Sequence, residues 1–406
     1  MRDENKKEND LMGKIVSLCK RRGFVYQGSE IYGGLAGIYD WGHYGLALKN
    51  NIKQNWWKKF VDSRRDMYGI DAAILMNSKV WEVSGHVAGF SDSTEDGKQF
   101  NVMFKTSIGA GKEAAISYLR PETAQGMFVN FKNIVDAFHP KLPFGMAQIG
   151  KAFRNEIAPR DFLFRQREFE QMEIEYFMRE TGWENQFEYW KEEMREWMEE
   201  VGIDMNKVHE LEVPKEDRAH YSKRTIDFEF DFPFGRKELF GLAYRTDFDL
   251  KNHKLEYVDK ETGEKMTPHV IEPSFGIDRA VMALLVSVYS EEERDDGTRV
   301  FLKFKPNIAP VICAVSPLLK NKPELVEYAN TKVYAPLKAE FGRVAWDDNG
   351  NIGKRYRRQD EIGTPFCIVV DFETLTDNTV TVRDRDTGEQ ERVKVADLKN
   401  YIKEKI

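Results

Sequence analysis

The chain has 406 residues, of which 41% are hydrophobic and 32% are charged, and its formal net charge is -7. This composition excludes a disordered or fibrous protein, and the length predicts two domains. The acidic balance excludes a chain that coats nucleic acid along its whole surface, although it is compatible with a local basic patch.

The sequence shows no pattern typical of a targeting or membrane segment. The polar start MRDENKKEND lacks the apolar core of a signal peptide, and the longest apolar run, at residues 280–289, is too short to span a bilayer. We therefore expect a cytoplasmic protein. Cys19, Cys313 and Cys367 lie far apart without a CxxC pair, which predicts buried free thiols and no zinc site.

The N-terminal segments are expected to be mainly helical. A short amphipathic helix should end near Gly23, and a glycine-rich turn follows at residues 33–45. Apolar side chains then recur at helical spacing over residues 47–61. Trp56, Trp57 and Phe60 mark the face of this helix that must be buried.

The pattern in residues 145–177 predicts a long antiparallel hairpin, because two strand-like runs flank the turn-like segment IAPRDFLFRQ. An amphipathic helix is expected at residues 183–202, carried on an insertion. Alternating apolar residues predict a strand at 225–235, and the next helix should begin after EPSFG.

The C-terminal part has a different organisation. Residues 305–310 contain two prolines and are predicted to be a linker. Beyond them strands and helices alternate, a basic segment GKRYRRQD follows, and a last hairpin should turn at residues 386–388. This order predicts an α/β domain of about a hundred residues with a partly parallel sheet.

One strand of the long hairpin carries an unusual mixture of side chains. Alternate residues of a strand share a face. On REFEQMEIEYF this face is formed by Arg167, Phe169, Gln171, Glu173 and Glu175. Four residues of strand advance roughly 13 Å, which could separate a cation for phosphates, an aromatic ring for a base and a carboxylate for an amine. A salt-bridge ladder on a solvated sheet is the alternative, but it explains the aromatic residues poorly.

Two further motifs, RPETAQG and HVIEPSFGIDR, each combine a carboxylate with small residues. Glu272 and Ser274 should lie on one side of an extended segment. Arg279 follows in the first turn of a helix, where it is well placed to bind a terminal phosphate. Together these motifs favour a pocket for a nucleotide and an amine.

These residues carry a resemblance to a known family. The segment FRNE at residues 153–156, followed by Arg165, Phe169 and Glu173, resembles motif 2 of class II aminoacyl-tRNA synthetases, and GIDR resembles motif 3. Five further segments are similar to glycyl-tRNA synthetases of the dimeric type: SGHVAGFSD, RPETAQGMFVNF, RTDFDL, PHVIEPSFG and GKRYRRQDEIGTPFC. The similarity covers nearly the whole chain.

The resemblance implies a fold and an activity. It implies an α+β catalytic domain at residues 1–305, built on an antiparallel sheet flanked by helices, with a helical insertion near residues 178–224. A C-terminal α/β anticodon-binding domain with a mixed sheet would occupy residues 306–406. Such an enzyme activates glycine with ATP and transfers it to the 3′ end of tRNA(Gly), and it would act as a homodimer.

The resemblance also implies roles for individual residues. Arg154 would hold the α-phosphate, Glu156 would bind the adenine amino group, Phe169 would stack on adenine, and Arg165 and Arg279 would hold the γ-phosphate. These three arginines are the expected catalytic residues. The full set expected to bind ATP is Arg154, Asn155, Glu156, Phe164, Arg165, Arg167, Phe169, Glu238, Leu239, Gly276 and Arg279.

Other residues are expected to bind the remaining ligands. Glu238 would help to carry Mg²⁺, which suits hard oxygen ligands. The residues expected around the glycine ammonium are Glu122, Glu173, Glu272 and Ser274. The candidate contacts to the tRNA anticodon are Arg355, Tyr356, Arg357 and Arg358, although such a run could also be only a solvated basic loop.

One segment departs from the family. Family members carry a longer insertion, often with metal-binding cysteines, between GFSD and FNVMFKTSIG, whereas only STEDGKQ joins them here. A turn is expected at Asp96-Gly97, no zinc is expected, and the effect on tRNA charging is open. Two alternatives remain. A non-catalytic nucleic-acid-binding module is disfavoured by the complete ATP set. An adenylate-forming enzyme that does not charge tRNA is disfavoured by the C-terminal domain and favoured by the shortened insertion.

Overall fold

The structure, a computed structural model, describes residues 2–94, 97–111, 114–295 and 297–406. Its helices are α1 (Arg2–Arg22), α2 (His43–Trp57), α3 (Ser78–Val83), α4 (His86–Gly89), α5 (Ala124–Phe138), α6 (Trp183–Val201), α7 (Phe248–Asn252), α8 (Ile277–Val288), α9 (Pro323–Tyr328), α10 (Ala335–Phe341), α11 (Ile352–Ile362), α12 (Thr374–Asp377) and α13 (Leu398–Lys403). Short 3-10 turns lie at Glu30–Tyr32, Met205–Lys207 and Val395–Asp397, and π-helical turns lie at Lys58–Asp62 and Ala329–Tyr334.

The strands of the described residues belong to one large sheet, one smaller sheet and several two-stranded ribbons. They are β1 (Val25–Gln27), β2 (Tyr39–Trp41), β3 (Met67–Gly69), β4 (Ser91–Ser93), β5 (Gln99–Asn101), β6 (Lys105–Ile108), β7 (Ala115–Tyr118), β8 (Phe144–Phe153), β9 (Glu168–Met178), β10 (Val208–Glu212), β11 (Arg224–Phe232), β12 (Gly235–Thr246), β13 (Tyr257–Val258), β14 (Lys265–Met266), β15 (His269–Gly276), β16 (Tyr289–Arg294), β17 (Gly297–Leu302), β18 (Cys313–Pro317), β19 (Val344–Trp346), β20 (Phe366–Val370), β21 (Thr379–Asp384) and β22 (Gln390–Lys394).

The large sheet has seven strands in the order β10-β11-β12-β15-β9-β8-β3. All neighbours are antiparallel except β3, which runs parallel to β8. The predicted long hairpin is confirmed, because β8 and β9 pair continuously from Phe144 opposite Phe177 to Phe153 opposite Glu168. The sheet is flanked by helices, as the sequence predicted.

Helices α2, α6 and α8 cover one face of this sheet and bury aromatic side chains against it. The ring of Phe275 on β15 lies 5.6 Å from that of Phe60 and 5.1 Å from that of Trp197. Burial of each such side chain contributes about 1.5–3 kcal/mol to stability. Because successive strand residues point to opposite faces, Ser274 projects from the other face. Helix α5 packs on part of that face, where the ring centres of Phe131 and Phe177 are 4.7 Å apart, and the remainder is available for a site.

The expected helices of this domain are confirmed with adjusted ends. The N-terminal helix α1 ends before Gly23, and the helix predicted for residues 47–61 begins earlier, at His43, and finishes as a π-helical turn. The predicted helix of the insertion is α6, whose buried face includes Trp190 and Trp197. Helix α8 begins directly after EPSFG.

The C-terminal sheet has the order β19-β18-β20-β21-β22. The pairs of β18 with β19 and with β20 are parallel, and the remaining pairs are antiparallel, so the sheet is mixed as predicted. The last hairpin is formed by β21 and β22. Cys19, Cys313 and Cys367 are all buried and free, which confirms the prediction for the thiols.

The segment predicted to be a linker is tightly packed. Ile308 and Ala309 are fully buried, and the side-chain amide of Asn51 donates to both of their carbonyl oxygens at 3.0 Å. Arg385 of the C-terminal part donates to the carbonyl oxygen of Phe304 at 2.9 Å. The connection is therefore held by both parts of the chain. Within the described residues, no helix is both long enough and apolar enough to cross a membrane.

Candidate active site

A cleft opens on the face of the large sheet opposite α2, α6 and α8, at the ends of β8, β9, β12 and β15. It is lined by Arg154, Glu156, Leu163, Phe164, Arg165, Gln166, Phe169, Gln171, Glu238, Leu239, Phe240, Gly241, Ser274, Gly276, Asp278 and Arg279. Every residue expected to bind ATP lines this cleft except Asn155 and Arg167. The structure therefore brings together side chains that are far apart in the sequence.

Arg154 occupies a fixed position at the end of β8. Its Nε donates to the carbonyl oxygen of Pro121 at 3.1 Å. Its guanidinium carbon lies 5.3 Å from the ring centre of Phe90 and 5.2 Å from that of Phe169. A cation held against two aromatic rings and one carbonyl has little freedom to move away from the cleft.

Arg165 forms ion pairs at the other side of the cleft. Its Nε lies 2.5 Å from a carboxylate oxygen of Glu156, and its Nη2 lies 2.5 Å from one of Asp92. The side chain remains 30% exposed, so these pairs are open to exchange with an incoming anion. Asp92 was not among the residues expected from the sequence.

Arg279 lies in the first turn of α8, as predicted. Its Nη1 donates to the carbonyl oxygen of Glu238 at 3.0 Å and lies 3.2 Å from a carboxylate oxygen of the same residue. Its guanidinium carbon is 4.3 Å from the ring centre of Phe164. The arginine is thus aligned along one wall of the cleft with part of its surface exposed.

Arg167 and Asn155 do not line the cleft, in contrast to the expectation. Arg167 donates instead to the carbonyl oxygens of Ala36 and Glu156, at 2.8 and 3.2 Å, and so ties the hairpin loop to the glycine-rich turn. A Cβ on Gly37 would lie 2.5 Å from Pro159, so a glycine is required for this close approach. The backbone of Asn155 donates to Val102 at 2.6 Å.

A second pocket continues directly from the cleft. It is lined by Glu122, Arg154, Gln171, Glu173, Val213, Asp217, Arg218, Ala219, Tyr221, Thr225, Asp227, Glu238, Gly241, Leu242, Ala243, Glu272 and Ser274. All four residues expected to bind the glycine ammonium line it. Arg154, Gln171 and Ser274 line both the cleft and the second pocket, so the two spaces meet at these side chains.

Two of the expected glutamates have well-defined partners. Glu173 accepts hydrogen bonds from the hydroxyls of Thr123 at 2.5 Å and Ser274 at 2.8 Å, while burial and then the charge of Glu122 raise its pKa. Glu122 lies 3.3 Å from Nε2 of His86. Burial opposes ionisation of Glu122, but His86 and two arginines outweigh it and hold its pKa below the usual value. Glu122 is therefore an anion at neutral pH.

Arg245 contacts Glu272, one of the residues that line the second pocket, and it was not among the predicted site residues. It is 1% exposed, and its guanidinium lies 2.7 Å from Glu272 and 2.8 Å from Asp249. The sheet register shifts between Tyr244 and Thr246, a bulge that redirects the arginine side chain. Two signals could have pointed to it, namely its place in the segment RTDFDL and the spacing of four between Arg245 and Asp249.

Asp227, Glu229 and Glu238 lie on the neighbouring strands β11 and β12, where Asp227 lines the second pocket and Glu238 lines both spaces. Glu229 pairs with Glu238 across β11 and β12, and Asp227 pairs with Gly241. Burial, followed by repulsion from Glu238 and Glu229, raises the pKa of Asp227 to about 7. Carboxylate oxygens are the donors that Mg²⁺ prefers, so the residues present fit the magnesium expected at Glu238.

The basic segment of the C-terminal domain forms helix α11, and much of it faces inward. Arg355 is buried and donates to the carbonyl oxygens of Pro317 and Gly350. Arg358 pairs with Asp347, and the ring of Tyr356 is covered by Arg383 at 4.7 Å. Of the four expected anticodon contacts, only Arg357 is exposed.

The short connection between GFSD and FNVMF joins β4 to β5, which pair as an antiparallel ribbon. Glu95 and Asp96 lie outside the described residues, and so does the turn expected at Asp96-Gly97. The neighbouring residues close a narrow loop, in which the backbone of Thr94 donates to Lys98 at 2.8 Å.

Comparisons with known proteins agree with this architecture. Residues 104–289 match the model of the tRNA synthetase class II core domain (G, H, P, S and T), and residues 312–405 match that of the anticodon binding domain. The antiparallel sheet, the arginine-lined cleft and the mixed C-terminal sheet are those of a class II aminoacyl-tRNA synthetase.

Curated relatives identify the family within this class. The chain is 43% identical to the glycine–tRNA ligase of Thermus thermophilus, over 97% of this chain and 99% of the relative. It is 45% identical to that of Clostridium acetobutylicum, over 98% and 100%, and 46% identical to that of Lachnospira eligens, over 97% and 99%. The chain belongs to the glycine–tRNA ligase family.

The relatives are longer than this chain. The alignment with the Thermus thermophilus enzyme extends over 499 residues and that with the Clostridium acetobutylicum enzyme over 465, whereas the chain has 406 residues. An alignment longer than the chain contains gaps in it, so these relatives have residues that this chain lacks.

Proposed function

We propose that the cleft binds ATP and the second pocket binds glycine, so that this glycine–tRNA ligase joins them as glycyl-adenylate. The observation that carries the proposal is the continuity of the two spaces at Arg154 and Ser274. A glycine carboxylate in the pocket and an α-phosphate in the cleft would meet at Arg154. No general base is required, since the carboxylate is itself the nucleophile.

The reaction needs positioning and charge stabilisation more than proton transfer. The glycine carboxylate oxygen bonds to the α-phosphorus of ATP, the bond to the bridging oxygen breaks, and pyrophosphate leaves. Arg154 would hold the α-phosphate and stabilise the charge that develops on it. The hydroxyl of the terminal adenosine of tRNA then attacks the glycyl carbonyl, and AMP leaves.

The ion pairs of the cleft support roles for the other arginines. Arg165 would exchange Asp92 for the γ-phosphate, and Arg279, held along the wall by Phe164, would contact the same phosphate. Phe169 would stack on adenine and Glu156 would bind its amino group. Asn155 and Arg167 are left out of this set because they do not line the cleft.

The pocket is suited to a small ammonium ion. Glu122, Glu173 and Glu272 present carboxylates, and a cation is required to compensate several buried negative charges. Burial on the pocket side of the sheet also excludes bulk water, which strengthens these interactions. Glycine, the smallest amino acid, would bring the ammonium without a side chain.

We also propose that Mg²⁺ accompanies ATP at Glu238, with Asp227 as a second donor. Magnesium bound there would neutralise phosphate charge. The pKa of Asp227 is raised because no cationic partner offsets burial and the charges of its acidic neighbours. A cation bound beside Asp227 would stabilise its ionised form, which supports the proposed magnesium position.

The domain arrangement expected from the sequence remains a proposal, with the catalytic part at residues 1–305, the insertion near 178–224 and the anticodon-binding part at 306–406. The C-terminal part would bind the tRNA anticodon. Exposed Lys354 and Arg357 of α11 would meet phosphate there, whereas the buried Arg355 would support the fold.

We propose that the chain acts as a homodimer. Ile31 and Tyr32, in the turn before α2, are each 87% exposed, an unusual exposure for two adjacent apolar residues. A second copy would cover them. The mass from sedimentation equilibrium tests this directly: a mass of one chain at micromolar concentration would exclude the dimer.

The activity is tested by exchange of labelled pyrophosphate into ATP and by charging of total tRNA. We expect exchange with glycine, at least about 100-fold less with alanine or serine because a larger side chain must be sterically excluded, and charging with glycine. Exchange without charging would indicate an adenylate-forming enzyme that does not charge tRNA. No exchange with any of the three amino acids would contradict the proposed pockets.

A variant of α11 tests the tRNA contact separately. Changing Lys354 and Arg357 to alanine should raise the KM for tRNA by about 5- to 30-fold, because each phosphate contact contributes about 0.5–1 kcal/mol at moderate salt. Pyrophosphate exchange should be unchanged. An unchanged KM for tRNA would show that this face of α11 lies outside the complex.

A further inference from the structure

The most isolated polar group near the active site is Glu175. It follows Glu173 on the same face of β9 and is fully buried. Neither of its carboxylate oxygens has a hydrogen-bond partner among the described residues. An ionised carboxylate that is buried without a hydrogen-bond donor is strongly disfavoured, so the protonation state of Glu175 requires an explanation.

The sheet register places a second carboxylate opposite Glu175. On β15 and β9, Ile271 pairs with Tyr176 and Ser274 pairs with Glu173, so Glu272 stands directly across from Glu175. Single oxygens of Glu173, Glu175 and Glu272 all lie within 4.8 Å of one another. Like charges in directly opposite positions destabilise a sheet. At this site the repulsion is increased by burial.

The available donors are already used by the other two glutamates. Glu173 accepts from Thr123 and Ser274, and Glu272 accepts from Arg245.

The charged groups that act on Glu175 come from several elements. They are Glu272 on β15, Arg245 on β12, Asp249 on α7 and Glu173 on its own strand. Arg245 is the only cation among these four, and it is bonded to Asp249 and Glu272. Burial, followed by repulsion from Glu272, therefore raises the pKa of Glu175 well above its usual value.

We propose that Glu175 is a positioning residue that carries a proton at neutral pH and donates a hydrogen bond to Glu272, so that Glu272 is the carboxylate that ionises against the amine of bound glycine. The inference rests on the proposed function of the pocket. With the proton on Glu175, the repulsion between the two carboxylates disappears. Glu272 then accepts hydrogen bonds from both Arg245 and the neutral carboxyl group of Glu175.

The proton has a consequence for substrate binding. Two ionised carboxylates at this point would repel each other and move apart, and Glu272 would lose its fixed direction. A neutral acid behind it restrains the carboxylate without adding charge, as in other sites where two acids share one proton. Glu175 itself need not touch the substrate.

The kinetic test compares two variants of Glu175. Glu175→Leu keeps the size but removes the donor, and it should raise the KM for glycine in pyrophosphate exchange by about tenfold, since a lost buried hydrogen bond to a charged group has about that effect. Glu175→Gln mimics the neutral acid and should rescue the KM to within about threefold. A Gln variant as impaired as Glu272→Gln would overturn the proposal, because Glu175 would then have to be an anion.

The second test uses unfolding and does not depend on glycine. A raised pKa in the folded state means that the wild-type protein loses stability as pH rises from about 4.3, the unfolded pKa of a glutamate, towards the folded pKa. Glu175→Gln removes this loss. We therefore expect the melting temperature of the Gln variant minus that of the wild type to be larger at pH 8 than at pH 5. We also expect the variant to lose the carbonyl-stretch band of a protonated carboxylic acid that the wild type shows in infrared spectra.

Two outcomes would overturn the proposal. One is a difference in melting temperature that does not change with pH. The other is a rise in the wild-type melting temperature on addition of Mg²⁺ or K⁺ without ATP that is absent in the Gln variant, which would mean that a cation compensates the three glutamates. If Glu272→Gln leaves the KM for glycine unchanged, the proposed pocket fails, while the unfolding test still decides the state of Glu175.

Discussion

Replacing Arg154 with alanine is expected to lower glycine-dependent pyrophosphate exchange by about 10²–10³-fold, the usual effect of removing one donor from a group that stabilises transition-state charge. Arg154 lines both the cleft and the second pocket and is held by Pro121 and two aromatic rings. The loss should appear in kcat as well as in kcat/KM, because the contact strengthens as charge develops on the α-phosphate. The kinetics of pyrophosphate exchange at saturating ATP measure this loss in kcat and in kcat/KM for glycine.

Arg160 provides a matched control for this variant. It lies in the same hairpin loop, its side chain is 63% exposed, and it does not line either space. Arg160→Ala should leave exchange within about twofold of the parent, because an exposed charge contributes little. Arg154→Lys should remain impaired, since lysine cannot reproduce the planar fork of donors. If Arg154→Ala retained more than about a tenth of the activity, Arg154 could not hold the reacting phosphate.

Much of the fold follows from local sequence patterns. The hairpin of β8 and β9 was predictable because its two runs alternate and its loop carries turn residues, and α8 because an apolar run follows Gly276. These features depend on periodicities of 2 and 3.6 residues that are visible in a single segment. The cleft residues, in contrast, were named from the family resemblance, and they come from the hairpin loop, β9, β12 and the start of α8.

The features that were not predicted depend on contacts between distant segments. The inward position of Arg355 follows from carbonyl oxygens at Pro317 and Gly350, which no local pattern reveals. The central place of Arg245 follows from a bulge in β12. The isolation of Glu175 becomes visible only when the register with β15 is known. Sequence patterns identify which residues share a face, whereas the register decides which charges oppose one another.

Replacing Arg245 with methionine is expected to lower the free energy of unfolding by about 3–5 kcal/mol, because a buried ion pair that loses one partner leaves uncompensated charge behind. Arg245 is 1% exposed and lies 2.8 Å from Asp249 and 2.7 Å from Glu272. Methionine retains much of the apolar stem, so the loss would report the charge rather than a cavity. Urea unfolding of the two proteins, monitored by circular dichroism, measures the difference.

The partner carboxylate allows a double-variant test. Adding Asp249→Asn to Arg245→Met removes one of the stranded charges and should restore at least about 1 kcal/mol, a coupling expected only for residues in one network. Arg236→Met serves as the control, because this arginine is 47% exposed and pairs with Asp231 at the surface. The free energy of unfolding of Arg236→Met should stay within about 1 kcal/mol of that of the parent protein.

The sign of the pH dependence distinguishes lost charge pairing from lost packing. Burial raises the pKa of Glu272, and Arg245 is the principal group that lowers it. Without the arginine the folded pKa of Glu272 rises further. A carboxyl with a raised folded pKa loses stability as pH increases above its unfolded value of about 4.3, so the deficit of Arg245→Met should be larger at pH 8 than at pH 5. A deficit that is equal at both pH values would mean that Arg245 stabilises the domain through packing, and its role in setting the charge of the glycine pocket would be excluded.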